Sequence, residues 1–437
     1  MKIQRIPEEF LHFLWKTRRF DPKNLLTTHG APVQILQGGI HNMHAGPDFL
    51  QARIRIGNRL WAGQVEIHVK SSDWIAHKHP FDPAYQNVIL HVVWEEDIPI
   101  CLADGSRLPC LELKNRTPSG LFERYRQLQQ AALKVPCTSR IAEVSPLTRS
   151  AWLDRMLIER LEEKARHFEQ LAQSTQNDLE QMLRAGIARA FGLPANADAL
   201  EDLLLSLPHT LLNRYHKNPL QIEALLFGQA GLLEGHFKDD WPQKLQREFR
   251  FLQKKHSLQP LSASRWKWSR MRPSSFPSLR IAQLAALCNR HTNWLDTFRQ
   301  PASTSTDTQA KPQENIKAFF QIETSDYWKT HHHWERLSAK NFSRPGKALI
   351  ERVVLNALAP FFFRYGQQQG DETFKLQALQ WVAGLPAEDN RITRKWKDFG
   401  WEIRSAEHSQ AILHLQRHYC EKRKCLHCAI GHQLIKE

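Results

Sequence analysis

The period of the hydrophobic pattern changes once along this 437-residue chain, and that change constrains the fold more than any other feature. Over residues 1–116 short apolar runs alternate with Gly, Pro and Asp, and several keep the period of two that a half-buried strand requires. Further along, apolar positions recur at three and four, the spacing of an amphipathic helix. A chain written this way predicts an α+β protein: an N-terminal α/β sheet domain over 1–116, then a mostly α-helical region.

Within the first zone, residues 7–20 read as a helix with Phe10, Phe13 and Leu14 on one face, and 33–36 as a short strand. The runs 49–56 and 60–71 flank Gly57-Asn58, a strong hairpin signal. NVILHVVW at 87–94 predicts a buried strand, and 98–102 with 108–113 predict a second hairpin about Asp104-Gly105. The helical domain spans 117–300, with helices expected over 145–172, 179–191, 197–207, 221–233, 244–256 and 278–289. Residues 301–315, PASTSTDTQAKPQEN, carry no large apolar side chain and predict a linker. The remainder, 316–437, forms a helical C-terminal domain.

Composition limits the function. Apolar residues make up 41%, enough for real cores, yet no run approaches the ~18 apolar residues of a spanning helix. The N-terminus lacks the apolar core of an export signal, so the expectation is a cytoplasmic protein without a membrane partner. Sixty Lys and Arg against 45 Asp and Glu give a net +15. Between residues 242 and 299 twelve bases face only Glu248 and Asp296, so 12 − 2 = +10 of that surplus is local. Such a patch favours a polyanion, nucleic acid first. At its centre RWKWSRMRPSSFPSLR interleaves bases with aromatics, which makes Arg265, Trp266, Lys267, Arg270, Arg272 and Arg280 candidates for nucleic-acid contact. The alternative is that the tryptophans are core.

Chemistry concentrates in GPDFLQARIRIGNRLWAGQVEIHVKSSDW, residues 46–74. Glu66, His68 and Lys70 alternate with Val65, Ile67 and Val69, so one strand face carries an acid, an imidazole and an amine. With Asp48 upstream, two carboxylates can hold a divalent ion against a phosphodiester while the lysine steadies charge. These residues resemble the PD-(D/E)XK nuclease superfamily, whose core order, αβββαβ, also fits. The resemblance implies Asp48 and Glu66 as ligands of Mg²⁺ or Mn²⁺, Glu8 or Glu9 from the leading helix, and Lys70 or His68 as the group activating water. The spacing Glu66-x-His68-x-Lys70 departs from the superfamily's acid-x-Lys. Register matters too: a two-residue Gly57-Asn58 turn sets Asp48 opposite Ile67, whereas a three-residue loop or a bulge at Gly63 sets it opposite His68.

Two other classes compete with a nuclease. His41, His44, His68, His77, His79 and His91 fall within 51 residues, near Asp48, Glu66, Asp73 and Asp82, which would suit a zinc or manganese metallohydrolase. A non-catalytic nucleic-acid-binding or scaffold protein is the third class.

Seven cysteines, an odd number, argue against a disulfide framework. Cys420-x4-Cys425-x2-Cys428-x3-His432 predicts a structural zinc site, with Lys422, Arg423 and Lys424 lowering the thiol pKa values. His427 or Cys288 are alternative fourth ligands, and a fourth cysteine from afar would permit an iron–sulfur cluster. GPDF, WAGQVEIHVKSSDW, YQNVILHVVW, EALLFGQAGLL, MRPSSFPSLRIAQLAAL and CLHCAIG together resemble an uncharacterised bacterial family of unknown function. That likeness spans most of the chain and implies no activity.

Overall fold

A computed structural model describes residues 6–102, 104–299 and 313–436. It is α+β, as the change of period predicts: a mixed six-stranded sheet near the N-terminus, then mostly helices. The contacts divide the chain into two compact units, 1–152 with 416–437, and 153–415.

The first unit opens with α1 (Glu8–Thr17), which ends where Arg18 turns left-handed, three residues before the pattern suggests. The strands are β1 (Val33–Gln37), β2 (Ile40–His41), β3 (Phe49–Ile56), β4 (Arg59–Lys70), β5 (Val88–Glu95) and β6 (Cys110–Glu112). Their order is β1-β3-β4-β5-β6, with β2 also paired to β3. The ladders β1–β3 and β3–β4 are antiparallel, whereas β4–β5 and β5–β6 are parallel. A short helix α2 (Asp73–Ala76) and two 3₁₀ turns make the crossover from β4 to β5. β5 is buried along six successive residues, as expected of a parallel strand covered on both faces.

Gly57-Asn58 forms the two-residue hairpin, pairing Ile56 with Arg59. Along the ladder Ala52 pairs Gly63, but Phe49 pairs Val65, so Leu50 and Gln51 together oppose Gln64. Gln51 sits in the left-handed region at φ 59°. This is a bulge on β3, not at Gly63. Gly63 has a different reason to be glycine: a Cβ there would lie 2.5 Å from Ile89 and 2.6 Å from the Asn87 carbonyl, where β5 enters the sheet. The expected second hairpin exists only as a turn: Cys101 bridges Arg107, while the chain beyond joins β5 in parallel as β6.

The unit continues through α3 (Leu121–Gln130) and the start of α4 (Pro146–Ser174), inside which the unit boundary falls. The C-terminal tail belongs here and not with a separate domain 316–437. Arg124 Nε donates to the Ile435 carbonyl at 2.8 Å, Gln129 to that of Arg423 at 2.9 Å, and the His432 ring packs tilted against Phe13. Composition cannot reveal such docking, because the partners are some 300 residues apart. Most of the expected linker, 301–312, lies outside the described residues.

The second unit is helical and built on the rest of α4, with helices Leu179–Phe191, Leu193–Leu205, Pro219–Gln229, Asp240–His256 and Pro277–Arg290 close to the expected ranges. Residues 316–415 pack into this unit with 153–299, rather than apart from it. Lys164 of α4 is half-buried, its Nζ donating to the Leu355 carbonyl at 2.8 Å and to Gln410 at 2.7 Å. Burial, with Arg160 adding to it against Glu388 and Glu163, pushes its pKa down to about 7. The unfolded chain therefore holds this proton up to about pH 10.4, while the folded chain has released it. Stability should rise from pH 7.5 to 10 in the wild type relative to Lys164→Met, as read from urea midpoints at each pH.

Candidate metal centre

The bulge at Gln51 decides which residues meet. With Phe49 opposite Val65, the next position sets Asp48 opposite Glu66 rather than Ile67 or His68. The Asp48 N–H donates to Glu66 Oε2 at 3.1 Å, and the Ile67 N–H donates to Asp48 Oδ2 at 3.0 Å. The two carboxyl groups thus lie together over the sheet. His68 follows on the same face of β4, and its Nε2 lies 3.6 Å from Glu66 Oε1.

The crossover supplies more imidazoles. α2 ends at His77, and the next turn carries His79. His77 Nδ1 is 3.1 Å from His68 Nε2, and His79 Nε2 is 3.4 Å from Glu66 Oε1. Each of His68, His77 and His79 offers a ring nitrogen within 4.8 Å of the others. The buried Nε2 of His79 has no hydrogen-bond partner among the described residues. Ligands about 2.0–2.1 Å from one zinc lie near 3.4 Å from each other; the separations His68–His77, His68–Glu66 and His79–Glu66, at 3.1, 3.6 and 3.4 Å, are of that size. Behind the face, His91 on β5 holds His68 Nδ1 at 2.9 Å, the kind of support that orients a ligating ring. Tyr85 stacks on His79 with centroids 3.7 Å apart.

The electrostatics of the cluster follow from its burial. Glu66 is 4% exposed, and burial together with Asp48 pushes its pKa up to about 9. Burial drives His68 down to about 2 and His91 to about 3, so both rings are neutral, the form that binds metal. From α1, His12 Nε2 approaches Asp48 Oδ2 at 3.2 Å. Burial alone would lower its pKa, but Asp48 and Glu8 raise it overall. Glu8 lies one turn earlier, 4.0 Å from His12, and is itself raised by burial.

The structure brings Asp48, Glu66 and His68 together, with His77, His79 and His91, and leaves Lys70 out. Its side chain is 57% exposed with Nζ 3.7 Å from Asp97. The alternation of β4 puts Lys70 on the right face, but beyond the cluster, where the strand ends. Glu9 pairs with His427 and not with this site. Asp73 and Asp82 cap turns, accepting from the N–H of Lys70 and of Ala84. His41 sits beside His12 and Phe49, and His44 is exposed. His12 was not legible as a site residue, because a helix face with Phe10, Phe13 and Leu14 reads as core. Its signal is the spacing of four from Glu8.

At the C-terminus Cys420, Cys425 and Cys428 are buried together, but His432 turns away and its Nε2 meets the Leu426 carbonyl. His427 is taken by Glu9, and Cys288 lies in the second unit. Burial raises the thiols of Cys425 and Cys428 to about 12 and 11, against the lowering that the neighbouring bases suggest.

The basic segment is only partly surface. Trp266 is 4% exposed, donating Nε1–H to the Ala230 carbonyl at 2.8 Å, and Arg280 is 7% exposed against Gln283. Arg265 is exposed but paired with Asp202. Trp268 packs against His333 and Phe276. Lys267, Arg270 and Arg272 are exposed. Helix packing explains the two buried candidates: the segment leads into Pro277–Arg290, a helix buried along most of its length. Trp266→Ala should accordingly cost about 3–5 kcal/mol of stability, measured by denaturant unfolding.

The chain belongs to the family described as protein of unknown function (DUF2851), whose model matches residues 8–391. No curated protein and no solved structure matches it. Among the described residues no helix is long and apolar enough to cross a membrane.

Proposed function

We propose that this protein is a divalent-metal-dependent, nuclease-like hydrolase of phosphodiester bonds in DNA or RNA. The observation that carries the reading is the bulged register, which sets Asp48 opposite Glu66, with His68 and His79 beside that carboxylate and His77 beside His68. Glu66, His68, His77 and His79 would hold the ion, with Asp48 beside them. Bound there, a divalent ion polarises a phosphoryl oxygen and lowers the pKa of a coordinated water. His12, whose pKa Asp48 and Glu8 raise against the lowering effect of burial, is placed to hand a proton to the leaving oxygen. Lys267, Arg270 and Arg272 are the exposed bases left for a polyanion.

The imidazole-rich donor set favours Mn²⁺ or Zn²⁺ over Mg²⁺, which prefers oxygen ligands. That same set supports a second reading, a metallohydrolase with a small ester substrate. The test incubates purified protein with single-stranded DNA, duplex DNA, RNA and a small phosphodiester, each with Mn²⁺, Zn²⁺, Mg²⁺ or EDTA. Polymer cleavage with Mn²⁺ and none with EDTA is the expected result. Turnover of the small ester alone would favour the second reading, and turnover of nothing would remove both.

A further inference from the structure

The described C-terminal tail folds back so that its cysteines meet a fourth. Cys137 sits just beyond α3, at the head of the 3₁₀ turn Thr138–Glu143. Cys137, Cys420, Cys425 and Cys428 line one small pocket that is partly open to solvent. All four are buried and none is in a disulfide. The other three cysteines lie elsewhere: Cys101 in a surface turn, Cys110 on β6 and Cys288 in the helix Pro277–Arg290.

The walls are built for ligation. Cys425 begins a 3₁₀ turn, and Cys428 immediately precedes the helix Ala429–Lys436, receiving hydrogen bonds from the N–H groups of Ile430 and Gly431. Gly431 is required for this closeness, since a Cβ would lie 2.2 Å from the Cys425 carbonyl. N–H groups aimed at sulfur stabilise a thiolate and tune any cluster it holds. Lys424 also lines the cavity, a cation where four thiolates would gather negative charge.

Spacing separates the two kinds of four-cysteine centre. One zinc with Zn–S bonds of about 2.3 Å draws its four sulfurs to about 3.8 Å from one another. Among the described residues, no three of these sulfurs lie within 4.8 Å of each other. A four-iron cluster instead takes its thiolates at the corners of a cube, farther apart than ligands of a single ion. We propose that Cys137, Cys420, Cys425 and Cys428 hold a [4Fe–4S] cluster. Each cysteine binds one iron through its thiolate, releasing its thiol proton to solvent, and His432 is not a ligand. The cluster staples segments 420 − 137 = 283 residues apart, closing the first unit on itself around the excursion of the second. This inference is independent of the sheet-face centre.

The test is anaerobic purification of the full chain, followed by iron, acid-labile sulfide and zinc determination and an absorption spectrum. About four iron and four sulfide per chain are expected, with broad visible absorption that bleaches with dithionite. Cys137→Ser should lose most of both, whereas His432→Ala and Cys288→Ser should keep them. One zinc per chain without iron or sulfide would overturn the cluster, as would an apo protein or a Cys137→Ser variant with undiminished iron. Should Cys137→Ser prove insoluble, the wild-type counts decide alone.

Discussion

Glu66→Gln is expected to reduce metal-dependent cleavage by roughly 10³-fold while leaving the fold intact. The substitution keeps the size of the side chain and an oxygen for the Asp48 N–H. It removes the negative charge that faces His68 and His79. An ion centre supplies several kcal/mol of charge stabilisation, and each 1.36 kcal/mol is a factor of ten in rate. Since burial and Asp48 already hold Glu66 protonated when no cation is near, the folded protein gives up little by the exchange. Lys70→Ala is the informative companion. Its ammonium faces Asp97 in solvent, so activity should stay within about twofold, as expected when only an exposed ion pair is lost. Equal losses in the two variants would put Lys70 back in the site, the role that the nuclease resemblance implies for it.

Metal addition should also stabilise the first unit. Mn²⁺ or Zn²⁺ at a hundred times its Kd adds about 2.7 kcal/mol to unfolding, provided the unfolded chain does not bind it. His79→Ala should abolish this increment, because the ring presents a buried nitrogen that has no hydrogen-bond partner among the described residues. His44→Ala, an exposed position outside the cluster, should retain it. Calorimetry with and without metal reads both. The His79 variant separates a real centre from weak binding to scattered histidines, which would survive its loss.

Much of this was legible in the sequence. The Gly57-Asn58 hairpin, the buried run NVILHVVW and the change to helical period give the α+β architecture directly, because each is a local pattern. Asp48, Glu66 and His68 could be singled out by chemistry and strand alternation. Their meeting could not be decided, since it rests on one extra residue opposite Gln64, and a bulge depends on the whole ladder. Which of the six clustered histidines meet is not legible either, because the convergence of β4 and the crossover that brings His77 and His79 to His68 is a tertiary fact. Cys137 stood too far from the C-terminal cysteines to be linked with them. Trp266 and Arg280 escape a local reading for the opposite reason: bases and aromatics mixed in one run look exposed, and only packing shows that two of the six candidates are buried.

The most direct measurement is anomalous diffraction from crystals soaked in Mn²⁺ or Zn²⁺. A single strong peak about 2 Å from Glu66 Oε1 and the ring nitrogens of His68, His77 and His79 is the predicted result. Metal bound elsewhere with this cluster unchanged would contradict the account.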